Sequence, residues 1–294
     1  MKDVNNYIFD LYGTLIDVAT DESSPTFWKR MAALFSVYGA DYTGPQLQQA
    51  YLDCVTWEEA ALKKHTGYQF PEIRLEKVFS RLLLEAPSCH ACEGSAGGME
   101  IRTLRALAQT GDEGKKEALE KLRYSEWVHV IANSFRIMSR KKLKPYRNTL
   151  KVLTKLKQTG HRVYLLSNAQ HIFTMPEMEA IGLVEFFDRI YISSDAGMRK
   201  PQPEFMVNLL RREGLDREDC VMVGNDFDSD IRIAASLGMK SVYLNTFGYD
   251  EKECEKRLGA VRTVAGKLHP KAKDYKPSLS VMDGDIGALL EIIK

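Results

Sequence analysis

Tyr7-Ile8-Phe9-Asp10-Leu11-Tyr12-Gly13-Thr14-Leu15-Ile16-Asp17 is the stretch that decides the fold. An apolar run ends abruptly in an aspartate, and a glycine and a threonine follow within a few residues. A buried parallel strand that delivers a carboxylate to its carboxyl end has this pattern. Ligands of open α/β sheets bind at that end, so Asp10 is placed for chemistry. The alternative is a surface aspartate capping a turn. The rest of the chain separates the two.

Beyond Ile16 the texture changes. Pro25 to Phe35 repeats apolar residues every three or four positions, which predicts a helix with Ser23 or Ser24 as cap and Pro25 in its first turn. A second helix is expected from Gly44-Pro45 through Leu47, Tyr51 and Val55 towards Leu62. A third follows Pro71, with Ile73, Leu75, Val78, Phe79, Leu82 and Leu83 as its apolar side. Residues 86–114 read as irregular, with room for a short helix over 101–108. A last helix carries Leu119, Leu122, Trp127, Val130, Ile131, Phe135 and Met138. No strand is expected in this block, and the basic run Arg140 to Lys144 reads as a solvated connector.

From there the chain alternates helices with short apolar runs. Strands are expected at His161–Leu166, Arg189–Ile192, Cys220–Val223, Ser241–Leu244 and Ser278–Met282, with helices between them stopped by Gly160, Gly182, Gly214 and Gly238. Gly248 to Lys276 is charged and weakly patterned and reads as a surface excursion. Such alternation means parallel strands joined by right-handed crossovers. The expected fold class is α/β: a Rossmann-like parallel sheet flanked by helices, formed by residues 1–17 and 143–294. An all-helical cap domain, residues 18–142, is inserted after the first strand and closes over the strand ends.

The net charge of +1 on 294 residues gives no electrostatic case for nucleic acid or an anionic membrane as partner. No apolar run has transmembrane length, and the first six residues lack the apolar core of a signal peptide, so the expected location is the cytoplasm. Five cysteines make no disulfide framework. Cys89-His90-Ala91-Cys92 has the spacing of half a zinc site, but no second pair follows at a suitable distance, and a reduced pair in a loop is expected.

Four strand ends carry polar groups: Asp10, then Ser167-Asn168, a loop with Lys200, and Asn225-Asp226 followed by Asp230. A parallel sheet lines these ends along one edge, so groups distant in sequence converge. The set suits phosphoryl transfer. Asp10 can attack phosphorus and form an aspartyl phosphate, while Ser167 and Lys200 hold the non-bridging oxygens. Asp226 can hold Mg²⁺ together with Asp10, so that an anionic nucleophile and an anionic substrate can meet.

These segments resemble the motifs of the haloacid dehalogenase superfamily of hydrolases. Phe9-Asp10-Leu11-Tyr12-Gly13-Thr14-Leu15 is similar to motif one, and Leu165-Leu166-Ser167-Asn168 to motif two. Arg199-Lys200-Pro201-Gln202-Pro203-Glu204-Phe205 resembles motif three, and Val223-Gly224-Asn225-Asp226 through Asp230-Ile231 resembles motif four. The resemblance covers the core; in the helical insert only position and texture match. It implies Asp10 as nucleophile, Thr14 and Ser167 as ligands of the transferred group with Asn168 beside them, and Lys200 as the charge that orders Asp10. It also implies Mg²⁺ on Asp10, on the backbone carbonyl of Tyr12 and on motif four. There Asn225 stands where many relatives carry an acid. Asp226 is then the expected ligand, with Asn225 giving a neutral oxygen and Asp230 acting through water or holding the loop.

Phosphatases of this superfamily usually carry a second aspartate two residues after the nucleophile, as acid and base; here that position is Tyr12. The resulting Asp-x-Tyr-Gly-Thr resembles the superfamily's metal-free 2-haloacid dehalogenases. The acid-rich motif four points instead to a cation and to a small phosphorylated substrate. The alternatives are haloacid hydrolysis through an aspartyl ester and a non-catalytic member. If the chain is a phosphatase, Tyr12 implies a preference for good leaving groups.

Overall fold

In the computed structural model, which describes residues 4–90 and 96–293, the opening apolar run is strand β1 (Asn6–Phe9), buried along its whole length. The chain continues through β2 (Ile16–Thr20), α1 (Pro25–Val37), β3 (Ala40–Asp41), α2 (Gly44–Thr66), α3 (Leu75–Leu84), β4 (Ser88–Cys89), α4 (Ala96–Ala108), α5 (Asp112–Arg123), α6 (Glu126–Ser139) and β5 (Arg140–Pro145). Alternation then sets in: α7 (Thr149–Gln158), β6 (Arg162–Ser167), α8 (His171–Ala180), β7 (Arg189–Ile192), α9 (Ser193–Ala196) and α10 (Pro203–Glu213). β8 (Cys220–Gly224), α11 (Arg232–Ser236), β9 (Lys240–Leu244), α12 (Glu251–Ala265) and β10 (Leu279–Val281) complete the order.

Six strands form one parallel sheet in the order β10-β9-β8-β1-β6-β7. Phe9 is level with Leu165 on one side and Val223 on the other, so the residues after all three leave the sheet at one edge. The side-chain period of two sorts the sheet's faces. Tyr7, Phe9, Leu165 and Val223 pack into one apolar cluster with Leu153, Leu156 and Leu289. Ile8, Tyr164, Leu166 and Met222 face the other way, against Phe205, Leu209 and Ile233. This is the expected α/β class.

The chain divides into two compact units. The sheet unit takes Met1–Val18, Tyr68–Glu72 and Lys142–Lys294; the helical unit takes Ala19–Gly67 and Ile73–Lys141. The short Tyr68–Glu72 segment thus belongs with the sheet, although the sequence places it inside the insert. Within the helical unit, Phe27, Trp28, Tyr51, Phe79 and Phe135 meet in edge-to-face, tilted and stacked pairs around a common core. No helix among the described residues is long and apolar enough to cross a membrane.

Several expectations need correction. The insert contains strands: β3 and β4 pair antiparallel, Ala40 with Cys89 and Asp41 with Ser88. The basic run that reads as a connector is β5, paired with β2. Its lysines stay solvated, and Lys142 meets Asp17 at 2.6 Å. The long last helix is two, because Ser125 caps a new start by accepting the Val128 N–H at 3.4 Å. Residues 96–108 form a full helix rather than a short patch. The weakly patterned excursion contains α12, whose Leu258, Val261 and Ala265 pack on Phe227 and Tyr243. Cys54, Cys89, Cys220 and Cys254 carry free thiols; Cys92 lies outside the described residues.

Candidate active site

β1 continues its ladder one residue further, with the Asp10 N–H donating to Val223 O at 2.9 Å. The chain then turns sharply, and the N–H groups of Thr14, Leu15 and Ile16 all donate to Leu11 O. Gly13 sits in the turn at φ +87°, and a Cβ there would strike the Asn225 side-chain amide. The turn brings Thr14 back to Asp10: Thr14 Oγ1 lies 3.1 Å from Asp10 Oδ2. Ser167, the last residue of β6, places its hydroxyl 3.4 Å from Asp10 Oδ1.

Lys200 is buried, and its ammonium meets three acceptors: Asp10 Oδ1 at 2.7 Å, Asp230 Oδ1 at 2.8 Å and Leu166 O at 2.6 Å. Three donors are all that an ammonium has. Lys200 therefore orders Asp10 in this arrangement. Asn168 is tied to the Lys200 backbone. Its amide grips the peptide of Lys200 from both sides, accepting its N–H at 2.7 Å and donating to its carbonyl at 2.9 Å.

Motif four differs most from expectation. β8 ends at Gly224, and the next residue, Asn225, turns inward: its Oδ1 lies 3.3 Å from Thr14 Oγ1. The amide orientation is fixed, because Nδ2 donates to Thr246 Oγ1 at 3.0 Å while that hydroxyl donates to Gly13 O at 2.7 Å. Asp226, the expected principal metal ligand, caps the turn Phe227–Ile231. One of its oxygens accepts the Asp228 N–H at 3.0 Å and the other the Ser229 hydroxyl at 2.7 Å. Asp230 holds the loop: its Oδ2 accepts the N–H groups of Asn225 and Asp226 at 3.0 and 3.1 Å, and its Oδ1 takes Lys200. Gly224 has no room for a Cβ because the Asp230 carboxylate fills that space.

Burial opposes the Lys200 charge, but Asp10 and then Asp230 outweigh it and hold the ammonium's pKa above its ordinary value. Burial pushes the Asp230 carboxyl upward; Lys200 pulls it down, and Asp10 adds to the rise. With two carboxylates around one ammonium, the ionised site carries one surplus negative charge.

The donor chemistry fits a hard cation. Thr14 offers one hydroxyl proton to two acceptors, Asp10 Oδ2 and Asn225 Oδ1, so one oxygen at a time is left for another partner. Among the described residues no three His, Cys, Asp or Glu side chains cluster as a metal site. The fitting set combines one carboxylate with an amide and a backbone carbonyl.

Two acids in this unit carry no sequence signal. Tyr12 donates its hydroxyl to buried Glu177 on α8 at 2.6 Å, with Thr174 Oγ1 at 3.3 Å. Glu72, from the short Tyr68–Glu72 segment, accepts from Gln170 Nε2 at 3.0 Å and Ser193 Oγ at 3.2 Å. Thr174 and Glu177, at i, i+3 spacing, share one buried helix face.

The chain is similar to glyceraldehyde 3-phosphate phosphatases from Methanothermobacter thermautotrophicus and Methanocaldococcus jannaschii. Identity to the first is 36% over 35% of this chain and 46% of that protein, and to the second 34% over 38% and 49%. The chain spans about half the length of the curated relatives it matches. A 2-haloacid dehalogenase from Pseudomonas syringae pv. Tomato shares the fold, with a TM-score of 0.55 at 17% identity over 98% of this chain and 97% of that one. Residues 4–238 match the haloacid dehalogenase-like hydrolases, and the chain belongs to that family.

Proposed function

We propose that the protein is a Mg²⁺-dependent phosphatase of small phosphorylated metabolites. The observation that carries the reading is the asymmetry of Asp10. Lys200 and Ser167 occupy Oδ1, while Oδ2 faces Thr14 and, beyond it, Asn225. Oδ2 is then the attacking atom. It forms a bond to phosphorus as the bond to the leaving oxygen breaks, and that oxygen departs with the electron pair. Attack of water on the aspartyl phosphate restores Asp10 and releases inorganic phosphate. The hydroxyls of Thr14 and Ser167 donate to the non-bridging oxygens, and Lys200 keeps the nucleophile oriented. Asp10, Asn225 and the Tyr12 carbonyl would hold Mg²⁺, which when bound offsets the charge between nucleophile and substrate. The names of the curated relatives support the substrate class.

Phosphate esters, anhydrides and 2-haloacids, each assayed with Mg²⁺ or with excess chelator, test the reading. Phosphate release is expected with Mg²⁺ and a fall of about a hundredfold or more in chelator. Undiminished phosphatase activity in chelator overturns it. Tyr12 favours a second reading, an aspartyl ester formed from a haloacid, and halide release in chelator would be its signature.

The Tyr12 contact predicts a substrate preference. Its single proton is directed at Glu177, so the hydroxyl is poorly set to protonate a departing alcohol. Acyl phosphates and p-nitrophenyl phosphate, whose leaving groups need little protonation, are expected to turn over about a hundredfold faster than sugar phosphates. Equal kcat values for the two classes would contradict this.

A further inference from the structure

The chain leaves the helical unit after Gly67 and re-enters it at Ile73; the five residues between, Tyr68–Glu72, belong to the sheet unit. They are fastened to the loop that carries Lys200. The N–H groups of Gln69 and Phe70 both donate to Gln202 Oε1, at 3.1 and 3.2 Å. Arg199 N–H donates to Phe70 O at 3.0 Å and Glu72 N–H to Gly197 O at 3.2 Å, with Pro71 bridged antiparallel to Met198. The Gln202 amide cannot turn over without loss, because its Nε2 donates to Glu204 Oε2 at 2.6 Å. Arg232 lies over the Phe70 ring, 5.1 Å from its centre.

The same segment reaches the loop that follows β6. The Glu72 carboxylate accepts from Gln170 Nε2 and from Ser193 Oγ, and Ser193 Oγ accepts the Ala169 N–H at 2.8 Å. Asn168, one residue earlier, is the side chain that grips the Lys200 peptide. The strap therefore ties together both loops that fix the backbone of Lys200. That backbone has little freedom to shift. The ammonium must meet three acceptors, none further than 2.8 Å, and a displacement of about 1 Å in such a group costs about a hundredfold in rate.

We propose that Tyr68–Glu72 is a positioning element of the catalytic site, with Glu72 and Gln202 as positioning residues that set Lys200 against Asp10. The proposal rests on the phosphatase reading above. A strap that served only stability would alter the melting temperature and leave the turnover of each folded molecule unchanged.

Three variants of the full chain test this: Glu72→Ala, Glu72→Gln, which keeps one acceptor oxygen, and Gln202→Met, which keeps volume and loses the shared acceptor. Two quantities are read: kcat for p-nitrophenyl phosphate with Mg²⁺ per folded molecule, well below melting, and the melting-temperature rise caused by beryllium fluoride with Mg²⁺. Glu72→Ala and Gln202→Met are expected to lower kcat by about tenfold or more and to shrink the rise, with Glu72→Gln between them and wild type. Wild-type values for folded Glu72→Ala and Gln202→Met, or losses that track only the unfolded fraction, overturn the proposal and leave the phosphatase reading standing. A wild-type protein that neither hydrolyses phosphate esters nor responds to beryllium fluoride overturns both.

Discussion

Asp10→Asn is expected to lower kcat for phosphate esters by about 10⁴-fold or more, as removal of a covalent nucleophile does. The replacement keeps the shape of the side chain and an oxygen for Lys200, so the loss is chemical. Stability should move the other way. The wild-type site packs Asp10 and Asp230 around Lys200, with one charge in surplus. Removing the Asp10 charge leaves a balanced Lys200–Asp230 pair, and the melting temperature in chelator should equal or exceed that of wild type. Strain of this kind, held for function, is commonly relieved when the functional group is lost. Residual turnover above about one per cent would move the nucleophile to another residue.

Lys200→Met is expected to do the reverse, costing both activity and fold. It strands two buried carboxylates with no cation, and breaking a buried pair in this way costs about 3–5 kcal/mol. Urea unfolding in chelator measures the loss. Burial already raises the Asp230 pKa, and without the opposing pull of Lys200 it stands further above the unfolded value. A raised folded-state pKa adds stability below the unfolded value and loses it as pH rises. The deficit relative to wild type should therefore be smaller near pH 5 than near pH 8. A variant as stable as wild type at both would show that Asp10 and Asp230 are better solvated than their burial implies.

Much of this architecture was legible in the sequence because its signals are local. An apolar run that stops at Asp10, or at Ser167, announces a strand end, and glycines after the helices mark the crossovers. The position of Lys200 followed from the order of those ends. Asn225 and Asp226 were harder to separate. Which of two successive residues turns inward depends on how the backbone leaves Gly224, and the capping of Asp228 and Ser229 draws Asp226 into the turn. Glu72 and Glu177 were invisible for a different reason. Each gains a role only from partners about a hundred residues or more away, Gln170 for one and Tyr12 for the other. β5 escaped notice because Leu143 is the one aliphatic side chain in Arg140–Pro145, too few to show a strand's alternation.

The placement of β1 has a consequence for how the chain is made. β1 precedes the other strands of its sheet in the chain and lies inside that sheet, between Arg162–Ser167 and Cys220–Gly224. On the ribosome it must wait through some 150 residues before either partner is available, while the helices of the insert make their contacts at short range. The insert can thus fold as a unit before the sheet has a second strand. Until β6 emerges, the nascent chain holds an apolar strand with both hydrogen-bonding edges open, which is the period of greatest exposure to aggregation. The strand that ends at Asp10 is made before its sheet partners and is secured only when they follow.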